Sequence, residues 1–140
     1  MRVAKWMLFA SLCSIAGIGV AAGISTPSQV QAHVELRRAE YAGRNLFHSP
    51  DLGSHGISCD NCHVDGGRFS HRLGNHRIPS LVSIKNAFPM VSSNGQITTL
   101  ESQINQCLVH RMNGRPLPAS SRRMALLELY IRHLSHFHER

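Results

Sequence analysis

The chain is short of aromatic residues, which make up 6% of it, and of charge: Asp, Glu, Lys and Arg together reach only 16%. Low charge combined with a 42% hydrophobic fraction excludes a highly charged disordered polymer. Acidic residues are the scarcer sign, 8 against 15 Lys and Arg. Aromatic residues are not interleaved with the basic ones, which argues against nucleic acid as a partner. At 140 residues the chain holds one ordinary domain and has no room for a second. Only four cysteines are present, and two of them fall in one five-residue string, so their number says less than their positions.

The N-terminal segment reads as an address rather than as fold. Arg2 and Lys5 precede an apolar run from Trp6 to about Ile24, and the chain then relaxes through Ser25-Thr26-Pro27-Ser28 to Ala32. This is the three-part layout of a secretory signal peptide. Val30-x-Ala32 is the favoured cleavage site and Val20-x-Ala22 a second candidate. The expectation is a leader over 1–32 and a single mature domain over 33–140, exported to a periplasm-like compartment, with no stable membrane span after cleavage. An uncleaved anchor is the alternative, because the apolar run nearly reaches bilayer length, but its Gly and Ala residues and its Pro-containing exit favour removal. Cys13 leaves with the leader, and Leu12 before it does not suit lipid attachment.

Cys59-Asp60-Asn61-Cys62-His63 carries the clearest chemistry. Two thiols at i and i+3 leave one turn together and meet the two vinyl groups of a porphyrin, while the next residue's imidazole falls over the iron. Cys59 and Cys62 are thus expected to attach one haem c and His63 to ligate it. A zinc site built from Cys59, Cys62, Cys107 and His110 is the competing reading, but zinc knuckles usually repeat the Cys-x-x-Cys pair, and this chain has only one.

Helical periodicity surrounds that string. Ala39, Ala42, Gly43, Leu46 and Phe47 form one stripe, and Met124, Leu127, Tyr130, Ile131 and Leu134 another, with Ser120 or Ser121 as cap. Gly inside a helix costs roughly 1 kcal/mol relative to Ala, so Gly43 is expected where the last helix crosses closely near Tyr130. Thr98-x-x-Glu101 reads as a capping box, and Asn113-Gly114 as the stop of the helix between them. Leu100, Ile104, Cys107, Leu108 and Arg111 share a face of that helix. Asp65 to Arg68 reads as a turn, the stretch through Arg77 as a polar loop, and His133, His136 and His138 as a frayed tail.

With Gly43-x-x-x-Phe47, Cys59 to His63 and a last helix carrying Tyr130, the chain resembles a class I cytochrome c. The resemblance implies an all-α fold of three to four helices and loops wrapped around one covalent haem. It also implies that Pro79, in Pro79-x-Leu81, offers its carbonyl to His63 Nδ1–H. The Met-Pro pair usual before the last helix of that class is Leu117-Pro118 here, and leucine cannot ligate iron. Cys107, Met112, Met90 and His110 remain as distal candidates. Methionine would raise the reduction potential and thiolate would lower it.

A narrower resemblance rests on Phe88-Pro89, Asn94-Gly95, Leu100-Glu101, Ile104-Asn105-x-Cys107, Met112-Asn113-Gly114 and Tyr130. This set is similar to the catalytic haem domain of the thiosulfate dehydrogenase family. It implies that Cys107 is the distal iron ligand beside which a sulfur oxyanion such as thiosulfate reacts; in an enzyme of that kind Arg111 and nearby basic residues are expected to hold the negative oxygens. The chain has Gln103 where the family has Arg, Arg111 where the family has a small Ser, and no second Cys-x-x-Cys-His. Three function classes follow: a monohaem electron carrier in sulfur-compound oxidation, a thiosulfate dehydrogenase-like enzyme, and a haem sensor with a displaceable ligand. The basic balance points to redox partner proteins with an acidic docking surface.

Overall fold

A computed structural model describes residues 26–135. The leader's apolar run, the Val20-x-Ala22 site, His136 and His138 lie outside the described residues. None of the described helices is long and apolar enough to cross a membrane.

Three helices dominate: α1 (Pro27–His48), α2 (Leu100–Met112) and α3 (Arg122–Leu134). Short 3-10 turns at Pro50–Leu52, Cys59–Asn61 and Asp65–Gly67 carry the chain from α1 through the cysteine string. Two small antiparallel hairpins follow, β1 (His71–Leu73) with β2 (His76–Ile78), and β3 (Met90–Val91) with β4 (Ile97–Thr98). The polar loop expected up to Arg77 is therefore a hairpin. Gly74, at a φ of 58°, supplies the left-handed turn residue that a tight connection between twisted strands requires.

α1 begins twelve residues before the Ala39 stripe because its cap is local. Thr26 Oγ1 accepts from Gln29 N–H, Gln29 Oε1 accepts from Thr26 N–H, and Pro27 stands at the first helical position. The boundary expected after Ala32 thus falls inside a continuous helix. Thr26 to Arg38 are all exposed, and only from Ala39 onward does α1 meet the core, so the apolar stripe reports the packed half alone.

Met124, Leu127, Tyr130, Ile131 and Leu134 are all buried, as the α3 stripe requires, and Ser121 is the cap. α1 and α3 cross at Gly43, where an added Cβ would overlap the Leu126 carbonyl and come within 2.9 Å of Tyr130 Cβ. Beside the crossing, His133 Nδ1 lies 3.0 Å from Glu40 Oε1. His133 therefore belongs to the α1–α3 interface and not to a frayed tail. α2 is capped one residue later than expected, by Thr99 with Ser102, and Asn113 rather than Gly114 takes the left-handed stop, at φ 49°. Leu100, Ile104, Leu108 and Met112 form its buried face. Together with Phe47, Leu52 and Leu81 these side chains make one hydrophobic core.

Candidate functional site

The cysteine string is a single 3-10 turn fixed from both ends. Asn61 Oδ1 accepts from Ser58 N–H and from Ser58 Oγ–H, at 2.7 and 2.9 Å. Cys62 N–H and His63 N–H both donate to the Cys59 carbonyl. Asp60 reaches outward from the turn: its Oδ1 accepts from Gly66 N–H at 2.7 Å and its Oδ2 stands 3.2 Å from His48 Nδ1 on α1. Gly66 in turn accepts the buried Tyr130 hydroxyl at 2.9 Å, so α1, the string and α3 are linked by consecutive polar contacts. Gly66, at φ 65°, has no room for a side chain against that hydroxyl. Phe47 completes the wall, its ring 6.4 Å from that of His63 and 5.3 Å from that of Tyr130.

The loop entering the string is fastened to the end of α2. Ser54 N–H donates to the Met112 carbonyl at 3.1 Å, and Asn113 Nδ2 donates to Ser54 Oγ at 2.8 Å. The end of α2 thus lies against the loop before the string, and Cys107, half-buried on α2, is close enough to Cys59 and Cys62 for their charges to interact. All three thiols are free. Burial, followed by the charge on Cys107, pushes the Cys59 thiol up to about 12. Burial also raises the Cys107 thiol, while a hydrogen bond from Gln103 and the charge of Arg111 pull it back. Gln103 Nε2 donates to Cys107 Sγ at 3.9 Å, a contact suited to sulfur's size.

Burial lowers the pKa of His63. The Pro79 carbonyl opposes this by favouring the protonated ring, and the charge of His71 adds to it. Nδ1 of His63 is buried and has no hydrogen-bond partner among the described residues. The other distal candidates separate cleanly. Met112 is 3% exposed and packed in the core beside Gly53, Met90 is exposed on β3, and His110 is exposed one turn from Cys107. Among the described residues no group of three or more His, Cys, Asp or Glu side chains could hold a metal ion, so the zinc set Cys59, Cys62, Cys107 and His110 is not assembled.

A cavity of about 270 Å³ opens beside Cys107, lined by Gln103, Gln106, His110 and Arg111. Arg111 is exposed at its edge and does not join the buried face. A larger open groove along the exposed half of α1 contains none of the candidate residues. Two contributions escaped the sequence reading. Asn105 donates Nδ2–H to the Leu117 carbonyl at 2.9 Å and accepts Leu117 N–H at 2.8 Å, clasping the segment before α3 against α2. The second is Gln103 itself, noted only as a departure from a motif, although its i, i+4 spacing to Cys107 already puts it on the same face.

The family model for the SoxA/TsdA cytochrome c domain matches residues 42–138, which take in the string, both hairpins, α2 and α3. The chain belongs to the SoxA/TsdA cytochrome c domain family. Its fold is similar to that of SoxXA from P. pantotrophus, with a TM-score of 0.55 at 22% identity over 78% of this chain. It is also similar to thiosulfate dehydrogenase TsdBA from Marichromatium purpuratum, with a TM-score of 0.58 at 19% identity over 81% of this chain. The matched regions cover 35% and 24% of those two chains, so this sequence spans well under half of either. A comparison with curated proteins finds no match.

As a member of this family the chain has a class I cytochrome c fold and carries covalently attached haem c. Its own residues fit that group. Two thiols at the attachment spacing share a turn, an imidazole follows them with its buried Nδ1 left over from the internal bonding, and neither thiol is tied up in a disulfide.

Proposed function

We propose that this chain is an exported, periplasmic monohaem cytochrome that passes electrons in the oxidation of a sulfur compound. In this reading 33–140 is the mature domain, Cys59 and Cys62 would hold the haem, and His63 and Cys107 would ligate its iron. Pro79 orients His63. The bound haem supplies a one-electron redox centre, and a thiolate ligand sets its potential low. The single observation carrying the ligand choice is that Cys107 stands within electrostatic reach of Cys59 and Cys62 while Met112 is spent in the core. Burial opposes the Cys107 thiolate, but a metal cation reverses this, because a coordinating thiol gives up its proton. Electrons leave to a redox partner protein with an acidic docking surface, in keeping with the excess of basic over acidic residues, 13 to 8 once Arg2 and Lys5 leave with the leader.

The cavity beside Cys107 favours a second reading, a thiosulfate dehydrogenase-like oxidoreductase. Arg111 would hold the negative oxygens of thiosulfate, and Gln103, Gln106 and His110 would line the approach. Thiosulfate oxidation by the purified holoprotein, with hexacyanoferrate(III) as electron acceptor, separates the two. The carrier reading expects no thiosulfate-dependent reduction of the acceptor. Turnover that disappears in Arg111→Ala and Cys107→Ala assigns the enzyme.

A further inference from the structure

Between Asp65 and Glu101 the sequence has no acidic residue, while Arg68, Arg72, Arg77 and Lys85 are all basic. The fold gathers three of these cations around one small feature, the β1–β2 hairpin. Its register sets Arg72 directly opposite Arg77. Like charges in that relation destabilise a strand pair. No carboxylate among the described residues makes an ion pair with either guanidinium. Apolar side chains accompany them unburied, Phe69 being 62% and Leu73 51% exposed. A three-residue strand pair with two facing arginines and an unpacked phenylalanine at its entry is poor design for a free surface. It suits an interface, where Arg and aromatic residues are enriched and anchor binding.

The hairpin is rooted at the haem-binding segment. Leu81 N–H donates to the Gly67 carbonyl at 2.7 Å and Ser80 Oγ donates to the Arg68 carbonyl at 2.7 Å, so the two ends of the hairpin are tied together just after the cysteine string. Gly67, at the root of the hairpin, donates its N–H to the His63 carbonyl at 2.9 Å. A partner held on the hairpin therefore sits near the iron's proximal ligand.

We propose that the β1–β2 hairpin, through Arg72, Arg77 and Phe69, is the docking surface for an acidic redox protein. The proposal rests on the cytochrome reading and adds to it the place and the chemistry of contact. Charge complementarity selects the occupant: no carboxylate among the described residues pairs with either guanidinium, and an acidic patch supplies the counter-charge. Phe69 selects a protein over a simple anion, since an anion gains nothing from an aromatic ring's burial.

The test is stopped-flow oxidation of the dithionite-reduced holoprotein by three acceptors: soluble cytochrome b5 as an acidic protein, hexacyanoferrate(III) as a small anion and hexaammineruthenium(III) as a small cation. All three substituted side chains are exposed, and an unchanged haem spectrum certifies each variant's fold. In Arg72→Glu/Arg77→Glu the rate with cytochrome b5 should fall about tenfold or more at low salt, and the gap should close at high ionic strength. The hexacyanoferrate(III) rate should fall and the hexaammineruthenium(III) rate rise. Phe69→Ser should slow cytochrome b5 several-fold and leave both small acceptors unchanged. Rates with cytochrome b5 that ignore both variants overturn the surface and leave the cytochrome standing. A protein that takes up no haem overturns both. Phe69-dependent sedimentation with phosphatidylserine vesicles, without the cytochrome b5 effect, reassigns the hairpin to a membrane and overturns the protein partner.

Discussion

Cys107 is surrounded by groups that decide how its sulfur behaves. Gln103 one turn before it donates an N–H to Sγ, and Arg111 one turn after it contributes positive charge. Hydrogen bonds to a ligating sulfur withdraw electron density from it and raise the reduction potential of the iron it serves. Gln103→Leu should therefore lower the potential of the holoprotein while leaving its ligand set intact. Redox titration checks the first expectation and the ferric low-spin spectrum the second. An unchanged potential would mean that the amide does not reach the thiolate. The residue also illustrates the limit of the sequence: helical spacing puts residues 103, 107 and 111 on one face, but whether Gln103 turns its amide toward the sulfur depends on packing that spacing does not encode.

Among the elements, the α1–α3 crossing is the most demanding contact. It depends on the missing Cβ at Gly43, where any side chain collides with the backbone of Leu126. Gly43→Ala gains roughly 1 kcal/mol of helix propensity. It loses more by overpacking a contact made to backbone, which cannot move aside as a side chain can; such insertions typically cost about 1–3 kcal/mol. The expected net effect is destabilisation, measured by urea unfolding; a more stable variant would show that the helices can separate without cost.

This crossing was legible in advance, because a glycine amid an apolar stripe has few other uses, and every buried position of α3 followed from its period. The start of α1 was not, because its first half touches nothing and is held by the Thr26 cap and by surface pairs such as Glu35 with Arg38. The β1–β2 hairpin was also hidden. Its three-residue strands, exposed except at the half-buried His71 and Ile78, have no apolar alternation to reveal them. The haem-attachment string needed no structure, since its chemistry is local. The clasp of Asn105 on Leu117 needed one, since it joins residues twelve apart through a loop.

At the scale of the whole molecule, charge and ligation are distributed between distant parts of the chain. Glu101 on α2 faces Glu128 on α3, and burial, then the charge of Glu101, raises the Glu128 pKa; Glu101, bonded to Thr99, is lowered. A carboxyl with a raised pKa in the folded state binds more protons folded than unfolded. Glu128 thus subtracts stability as pH rises from the ordinary carboxylate value through the raised one. Glu128→Gln should increase the thermal midpoint by a few degrees at neutral pH and have little effect below the carboxylate range, read from melts across pH. A penalty at neutral pH would show that the contact of Glu128 with Arg132 outweighs the repulsion.

The proposed ligand pair likewise draws on two regions of the chain, His63 after the string and Cys107 on α2. Its most direct test is the ferric spectrum of the holoprotein and two variants. The account predicts a low-spin thiolate spectrum without the weak near-infrared band of methionine ligation, converted to high-spin or water-ligated iron in Cys107→Ala and nearly unchanged in Met112→Leu. A methionine band that survives Cys107→Ala and vanishes in Met112→Leu would contradict it.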